Sequence, residues 1–134
     1  MKNITILIVD DNEPMRTMIR HMLESHGYVD LVEADDGSSA FTILKSRKID
    51  LVFADWNMLG MTGIELLKKV REDSTIGKTP FIMVSVEGGA VSIDEALKYG
   101  VSDFISKPFT SKILIETLEK VMGNRTQEIR FKNR

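Results

Sequence analysis

The sequence predicts an α/β domain built on a doubly wound parallel sheet, and three observations carry that expectation. Five apolar runs of strand length alternate with five segments whose apolar residues recur at helical spacing. The first run, residues 4–9, is β-branched at every position but Leu7, the pattern of a strand buried on both faces. The polar residues suited to chemistry fall at the C-terminal ends of the runs, the edge at which open α/β sheets bind ligands.

The elements follow in order. After strand one, Asn12 is placed to cap a helix and Pro14 to occupy its first turn, while Met15, Met18, Ile19, Met22 and Leu23 form an apolar stripe closed by Gly27, a helix over 14–26. A strand near 29–34, a helix near 38–47 and a strand at 50–54 come next. A helix near 63–72 carries Ile64, Leu66, Leu67 and Val70; a strand at 80–84 and a helix near 90–99, ended by Gly100, follow. A strand near 102–106 and a helix near 110–122 with Ile113, Leu114, Leu118 and Val121 complete five β-α units. Right-handed crossovers then cover both faces of a parallel sheet with helices. The stretch from Gly123 to Arg134 holds four basic residues, one acid and little periodicity, so it reads as a frayed basic tail, giving one domain over 1–123 and a tail over 124–134.

Composition narrows the function classes. At 134 residues, with 43% hydrophobic and 28% charged residues, the chain is expected to fold alone as one globular domain and to act as a monomer. A net charge of −2 supplies no basic field for nucleic acid. The absence of cysteine excludes disulfides, thiolate metal sites and thiol chemistry, and fits a reducing compartment, with the cytoplasm as the expected location. The N-terminal apolar run is six residues long and ends in two aspartates, too short and too acidic for a signal peptide or a membrane span.

Three stretches end in charged groups: Ile6 to Asp11, Leu51 to Asp55, and Phe104 to Pro108. If these are neighbouring strands, Asp10, Asp11, Asp55 and Lys107 meet at one sheet edge. Carboxylates about 5 Å apart repel by roughly 3 kcal/mol at an effective dielectric near 20, so a cation is expected among them. Oxygen-only ligands in an open site favour Mg²⁺ over a full Ca²⁺ cage. Ser85, ending strand four, adds a hydroxyl donor, and Lys107 adds a positive charge able to orient phosphoryl oxygens. A carboxylate can attack phosphorus and form an acyl phosphate. Asp55, nearest the middle of the rim, is assigned as the phosphoacceptor.

The Asp10-Asp11 pair, Asp55 with Trp56-Asn57-Met58 behind it, Ser85 and Lys107-Pro108-Phe109 resemble the receiver domain of two-component response regulators. The likeness covers about residues 4–122, and the stretch Asp55 to Met58 resembles the CheY-like receivers of chemotaxis. The resemblance implies a flavodoxin-like (βα)5 fold with strand order 2-1-3-4-5, an order that comes with the family and that the hydrophobic pattern alone leaves open. It implies that Asp11 and Asp55 ligate Mg²⁺ directly, Asp10 through water and Asn57 through its backbone carbonyl. It implies a phosphorylation-activated switch and not a turnover enzyme, in which Asp55 takes its phosphoryl group from a phosphohistidine on a sensor histidine kinase, with the domain catalysing its own phosphotransfer and dephosphorylation. It further implies a cis Lys107-Pro108 peptide, an inward pull on the strand-four loop through Ser85, and burial of Phe104. The output face would be residues 88–99, 102–106 and 110–122, meeting a flagellar motor component or a histidine phosphotransfer protein, with a phosphatase as a further partner.

The chain departs from the family pattern at three places. Phe104 stands where many receivers have tyrosine, Leu59 replaces the usual proline and precedes Gly60, and Val86 replaces a small residue beside the site. The branched Val86 is expected to obstruct water or a partner approaching the phosphoryl group, while Asn57 and Glu87 are candidates for tuning, Glu87 reading equally well as a surface acid. His21 and His26 read as solvated, the three helix-one methionines as core gap fillers, and Trp56 as packed on the loop and able to report cation binding. Two other classes combine some of these features. An aspartyl phosphohydrolase of the haloacid dehalogenase type wants Asp-x-Asp, whereas position 12 is asparagine; a flavodoxin-like electron carrier wants a hydroxyl- and glycine-rich phosphate loop after strand one, which is missing. A pseudo-receiver is disfavoured by the complete acidic set.

Overall fold

A computed structural model of the chain describes residues 3–86 and 93–132, with side chains as far as residue 123. Its elements are β1 (Thr5–Val9), α1 (Glu13–Glu24), β2 (Asp30–Ala34), α2 (Gly37–Ser46), β3 (Leu51–Asp55), α3 (Gly63–Glu72), β4 (Phe81–Val86), α4 (Ile93–Lys98), β5 (Asp103–Lys107) and α5 (Ser111–Lys132). The five strands form one sheet in the order β2-β1-β3-β4-β5, parallel at every pairing. Parallel pairing follows from the helical crossovers, which return the chain to the same edge before each new strand.

Successive strand residues face opposite sides of the sheet, and two cores result. Leu7, Val9, Val52, Ala54, Phe81 and Met83 pack with Ala40 and Leu44 of α2, Leu66, Leu67 and Val70 of α3, and Ala96 of α4. Ile6, Ile8, Leu51, Phe53, Ile82, Val84 and Ile105 pack with Ile19 and Leu23 of α1 and Leu114, Ile115 and Leu118 of α5. Every residue of β3 is buried, which makes it the central strand and puts its last residue in the middle of the rim. β2, at the edge, is half-buried.

The helices start where side chains satisfy their free N–H groups. Asn12 accepts from the Met15 amide, with Pro14 in the first turn; Asp36 accepts from Ser39; Thr62 and Glu65 form a reciprocal capping box. Gly100 takes φ +85° and ends α4, a backbone conformation open to glycine at little cost.

The structure differs from the expected elements in three ways. Helix α5 runs to Lys132 and does not stop near 122, since a single glycine at 123 costs a helix only about 1 kcal/mol relative to alanine and no proline follows it. Met18 is 37% exposed while Met15 and Met22 pack on the second core; at 3.6 residues per turn Met18 falls on the margin of the stripe that Ile19 and Leu23 centre. Ile113, counted in the α5 stripe, is likewise exposed. The start of the helix expected over 90–99 and Glu87 lie outside the described residues. No helix among the described residues is long and apolar enough to cross a membrane.

Candidate functional site

The ends of β1, β3 and β5 meet at one rim. The Asp10 amide donates to the Ala34 carbonyl at 3.1 Å, which carries the β1–β2 ladder one residue past β1. The Asp10 side chain turns inward, 2% exposed, and its Oδ1 accepts from the Asn12 amide at 2.9 Å. Asp11 is exposed and its Oδ2 accepts from the Leu59 amide at 3.3 Å. Asp55 closes β3 and is buried. The three carboxylates place ligand oxygens within 4.8 Å of one another.

Lys107 enters this group from β5. Its Nζ lies 3.0 Å from Asp55 Oδ1 and 3.5 Å from Asp10 Oδ2, and the Lys107–Pro108 peptide is cis. Ser85 is buried near the end of β4, one residue past Val84, the register partner of Asp55. Val86, the register partner of Lys107, is 58% exposed. Asn57 is exposed two residues beyond Asp55.

Burial pushes the Asp55 carboxyl above its ordinary value, and the charges of Asp10 and Asp11 push the same way; the hydrogen bond and charge of Lys107 oppose them without cancelling them. Three carboxylates against one ammonium leave a surplus of two negative charges when all are ionised. The donors are all oxygen, two buried and one open to solvent, a set that fits a hard divalent cation keeping some of its water. Asp10, Asp11 and Asp55 are the residues placed to hold it.

Phe104 is half-buried and meets Trp56 edge-on, with ring centroids 6.4 Å apart and planes at 62°. Trp56 itself is buried and follows Asp55 directly, so the aromatic of β5 touches the residue next to the candidate phosphoacceptor. His21 is exposed on α1, and His26 bonds the Met22 carbonyl at the C-terminal end of the same helix; neither belongs to the rim.

Three contributors escaped the sequence reading. Gly63 lies so close to β3 that a Cβ there would stand 2.3 Å from the Asp55 carbonyl oxygen; a glycine opening a helix straight after a capping threonine was the available signal. The Leu59 amide supports Asp11, and a proline at that position has no N–H to offer. Arg16 Nη1 donates to the Asp10 carbonyl at 2.6 Å, with no sequence signal beyond its place in the first turns of α1.

A carboxylate at the C-terminal end of the central parallel strand, an acid pair one strand away and an ammonium from the edge strand form the rim expected of a receiver, and the chain belongs to the response regulator receiver domain family, which matches residues 6–119. Among its relatives is the chemotaxis protein CheY of Pseudomonas aeruginosa PAO1, 44% identical over 116 residues that cover 87% of this chain and 94% of that protein. Chemotaxis protein CheY1 of Helicobacter pylori strain 26695 is 43% identical over 119 residues, 88% of this chain and 96% of that protein. The solved structure of the chemotaxis response regulator CheY4 of Vibrio cholerae superposes with a TM-score of 0.81 at 33% identity, covering 88% of this chain and 98% of that one. Family membership sets aside the phosphohydrolase and electron-carrier readings.

Proposed function

We propose that this protein is a phosphorylation-activated switch of chemotaxis, in which Asp55 accepts a phosphoryl group from the phosphohistidine of a sensor kinase. The observation that carries the reading is the meeting of Asp55 with Asp10, Asp11 and Lys107 on one rim. An Asp55 carboxylate oxygen attacks phosphorus, the O–P bond forms as the P–N bond of the donor breaks, and the electron pair passes to the imidazole nitrogen, which takes up a proton. Lys107, 3.0 Å from Asp55 Oδ1, is within reach of a phosphoryl oxygen carried on the same carboxylate. The Ser85 hydroxyl, at the end of the neighbouring strand, binds another. Asp10, Asp11 and Asp55, with the Asn57 carbonyl, would hold a Mg²⁺ ion, which when bound would supply positive charge to offset that of the phosphoryl group. Because the domain contributes these groups itself, it catalyses its own phosphorylation and its own later loss of phosphate.

Drawing Ser85 inward pulls the end of β4 toward the rim, and the Trp56–Phe104 contact links that end of the sheet to β5. The output face is formed by α4, β5 and α5, where Ile93, Leu97 and Ile113 are exposed. Three exposed apolar side chains on this face suit a protein partner, here a flagellar motor component. A phosphatase acts as a second partner, with Asn57, Val86 and Glu87 tuning the phosphate lifetime. The working unit is residues 1–123, and the basic stretch 124–134 is dispensable for phosphorylation.

Incubation with acetyl phosphate and Mg²⁺ should add the mass of one phosphoryl group, mapped by mass spectrometry to Asp55, and Asp55→Asn should abolish the adduct. An unmodified protein under donor excess, or an adduct on another residue, overturns the assignment. A partner captured equally by beryllofluoride-treated and untreated protein would count against the switch.

A further inference from the structure

We propose that Arg16 is a positioning residue for the cation site, gripping the β1–α1 turn that presents Asp10 and Asp11, with Glu33 of β2 as its anchor. The inference rests on the reading that these acids hold a divalent cation. Arg16 is only 15% exposed, and its guanidinium works as a fork. One arm, Nη1, donates to the Asp10 carbonyl at 2.6 Å, and Nε donates to Glu33 Oε1 at 3.0 Å. Planar guanidinium geometry fixes the angle between the two donors, so tying one arm to a strand orients the other.

Asp10 is thereby held at both of its peptide groups. Its N–H is fixed to the Ala34 carbonyl and its C=O to Arg16. That C=O belongs to the peptide joining Asp10 to Asp11, so its direction sets the plane from which the Asp11 side chain departs. The anchor is itself braced: Arg20 Nε donates to Glu33 Oε2 at 2.7 Å. Burial would raise the Glu33 carboxyl, but the hydrogen bonds and charges of Arg20 and Arg16 bring it below its ordinary value, so Glu33 stays ionised as the counterweight to both arginines.

A positioning role and a mere ion pair predict opposite signs. A guanidinium acting only through its charge repels a nearby cation, so deleting it should tighten Mg²⁺ binding. A guanidinium that aligns the ligands should, when deleted, loosen it, and partners behind metal ligands are typically worth about 10–100-fold in affinity. Arg20 supplies the internal control, since it bonds the same Glu33 carboxylate and the Leu31 carbonyl but does not reach Asp10.

The test compares Arg16→Met, Arg16→Lys and Arg20→Met with the parent full-length protein and with Asp55→Asn. Mg²⁺ alone is titrated by Trp56 fluorescence and by calorimetry, amide shifts of Asp11 and Asn12 are recorded without metal, and thermal unfolding in EDTA checks the fold. Arg16→Met and Arg16→Lys should each raise the Mg²⁺ dissociation constant by about tenfold or more and shift the Asp11 amide, whereas Arg20→Met should do neither. Arg16→Lys keeps the charge and loses the fork, so it decides the matter if Arg16→Met fails to fold. Unchanged or tighter binding in the Arg16 variants, or equal loosening in Arg20→Met, overturns the positioning role while leaving the cation site intact. A parent protein that binds no Mg²⁺, or Asp55→Asn binding as tightly as the parent, overturns the cation reading itself.

Discussion

Val86 stands at the end of β4 with most of its side chain in solvent, directly across the β4–β5 register from Lys107. A branched side chain at that point narrows the approach of water to a phosphoryl group held between Lys107 and Ser85. Val86→Ala should therefore lose phosphate faster, by about twofold or more, a barrier change of about 0.4 kcal/mol or more. First-order decay of the two phosphoproteins measures the difference, and equal rates would remove Val86 from any role in phosphate lifetime. Asp11 and Leu59 teach a related lesson at this scale: the hydrogen bond between them spans 48 residues of sequence, and only the amide that a proline lacks makes it possible.

At the scale of elements, α3 sets how Asp55 is presented. The helix begins at Gly63, whose amide donates to the Trp56 carbonyl at 2.8 Å, and its first residue is pressed against the end of β3. A methyl group at 63 would also stand 2.9 Å from Met83 Sδ and 3.0 Å from the Trp56 Cα, so both the helix and the strand end must yield. Gly63→Ala should cost about 1–3 kcal/mol, as overpacking does, and should slow phosphorylation of Asp55 because the strand end carries the displacement. Thr62→Ala offers the contrast. It removes the capping box without adding an atom, so it should cost about 1 kcal/mol and leave the phosphorylation rate unchanged. Urea denaturation and phosphorylation kinetics on both variants check the pair of expectations, and equal kinetic loss in both would mean that cap strength, not contact with β3, governs the site.

For the whole molecule, the acids come together only when β1 and β3 are paired and Lys107 is delivered from β5, so the unfolded chain has no equivalent cation site. Mg²⁺ should then stabilise the folded state by about 2.7 kcal/mol at a hundredfold excess over its dissociation constant, and the unfolding temperature should rise with its concentration. Asp55→Asn removes a buried, charge-crowded carboxylate, so in metal-free buffer it should be more stable than the parent by on the order of 1 kcal/mol and should gain much less from Mg²⁺. Calorimetric scans with and without metal test both statements, and a parent protein indifferent to Mg²⁺ would overturn them.

The sequence by itself determined the strands, the helices apart from the C-terminal reach of α5, and the sheet edge on which chemistry collects, because those depend on local periodicity and on caps within a few residues, such as Asn12 with Met15. The acid runs were legible for the same reason, each being the polar end of its own apolar stretch. What only the tertiary structure decided are the long-range partners: Arg16 on the Asp10 carbonyl, Leu59 on Asp11, Gly63 against β3, and the edge-on meeting of Phe104 with Trp56. The exposed margin of α1 at Met18 belongs with them, since a helical stripe says which residues share a face but not how wide a face the neighbouring elements cover. Contacts of this kind follow from the distance between segments after packing, and that distance is a property of the assembled sheet and its helices, not of any one stretch of chain.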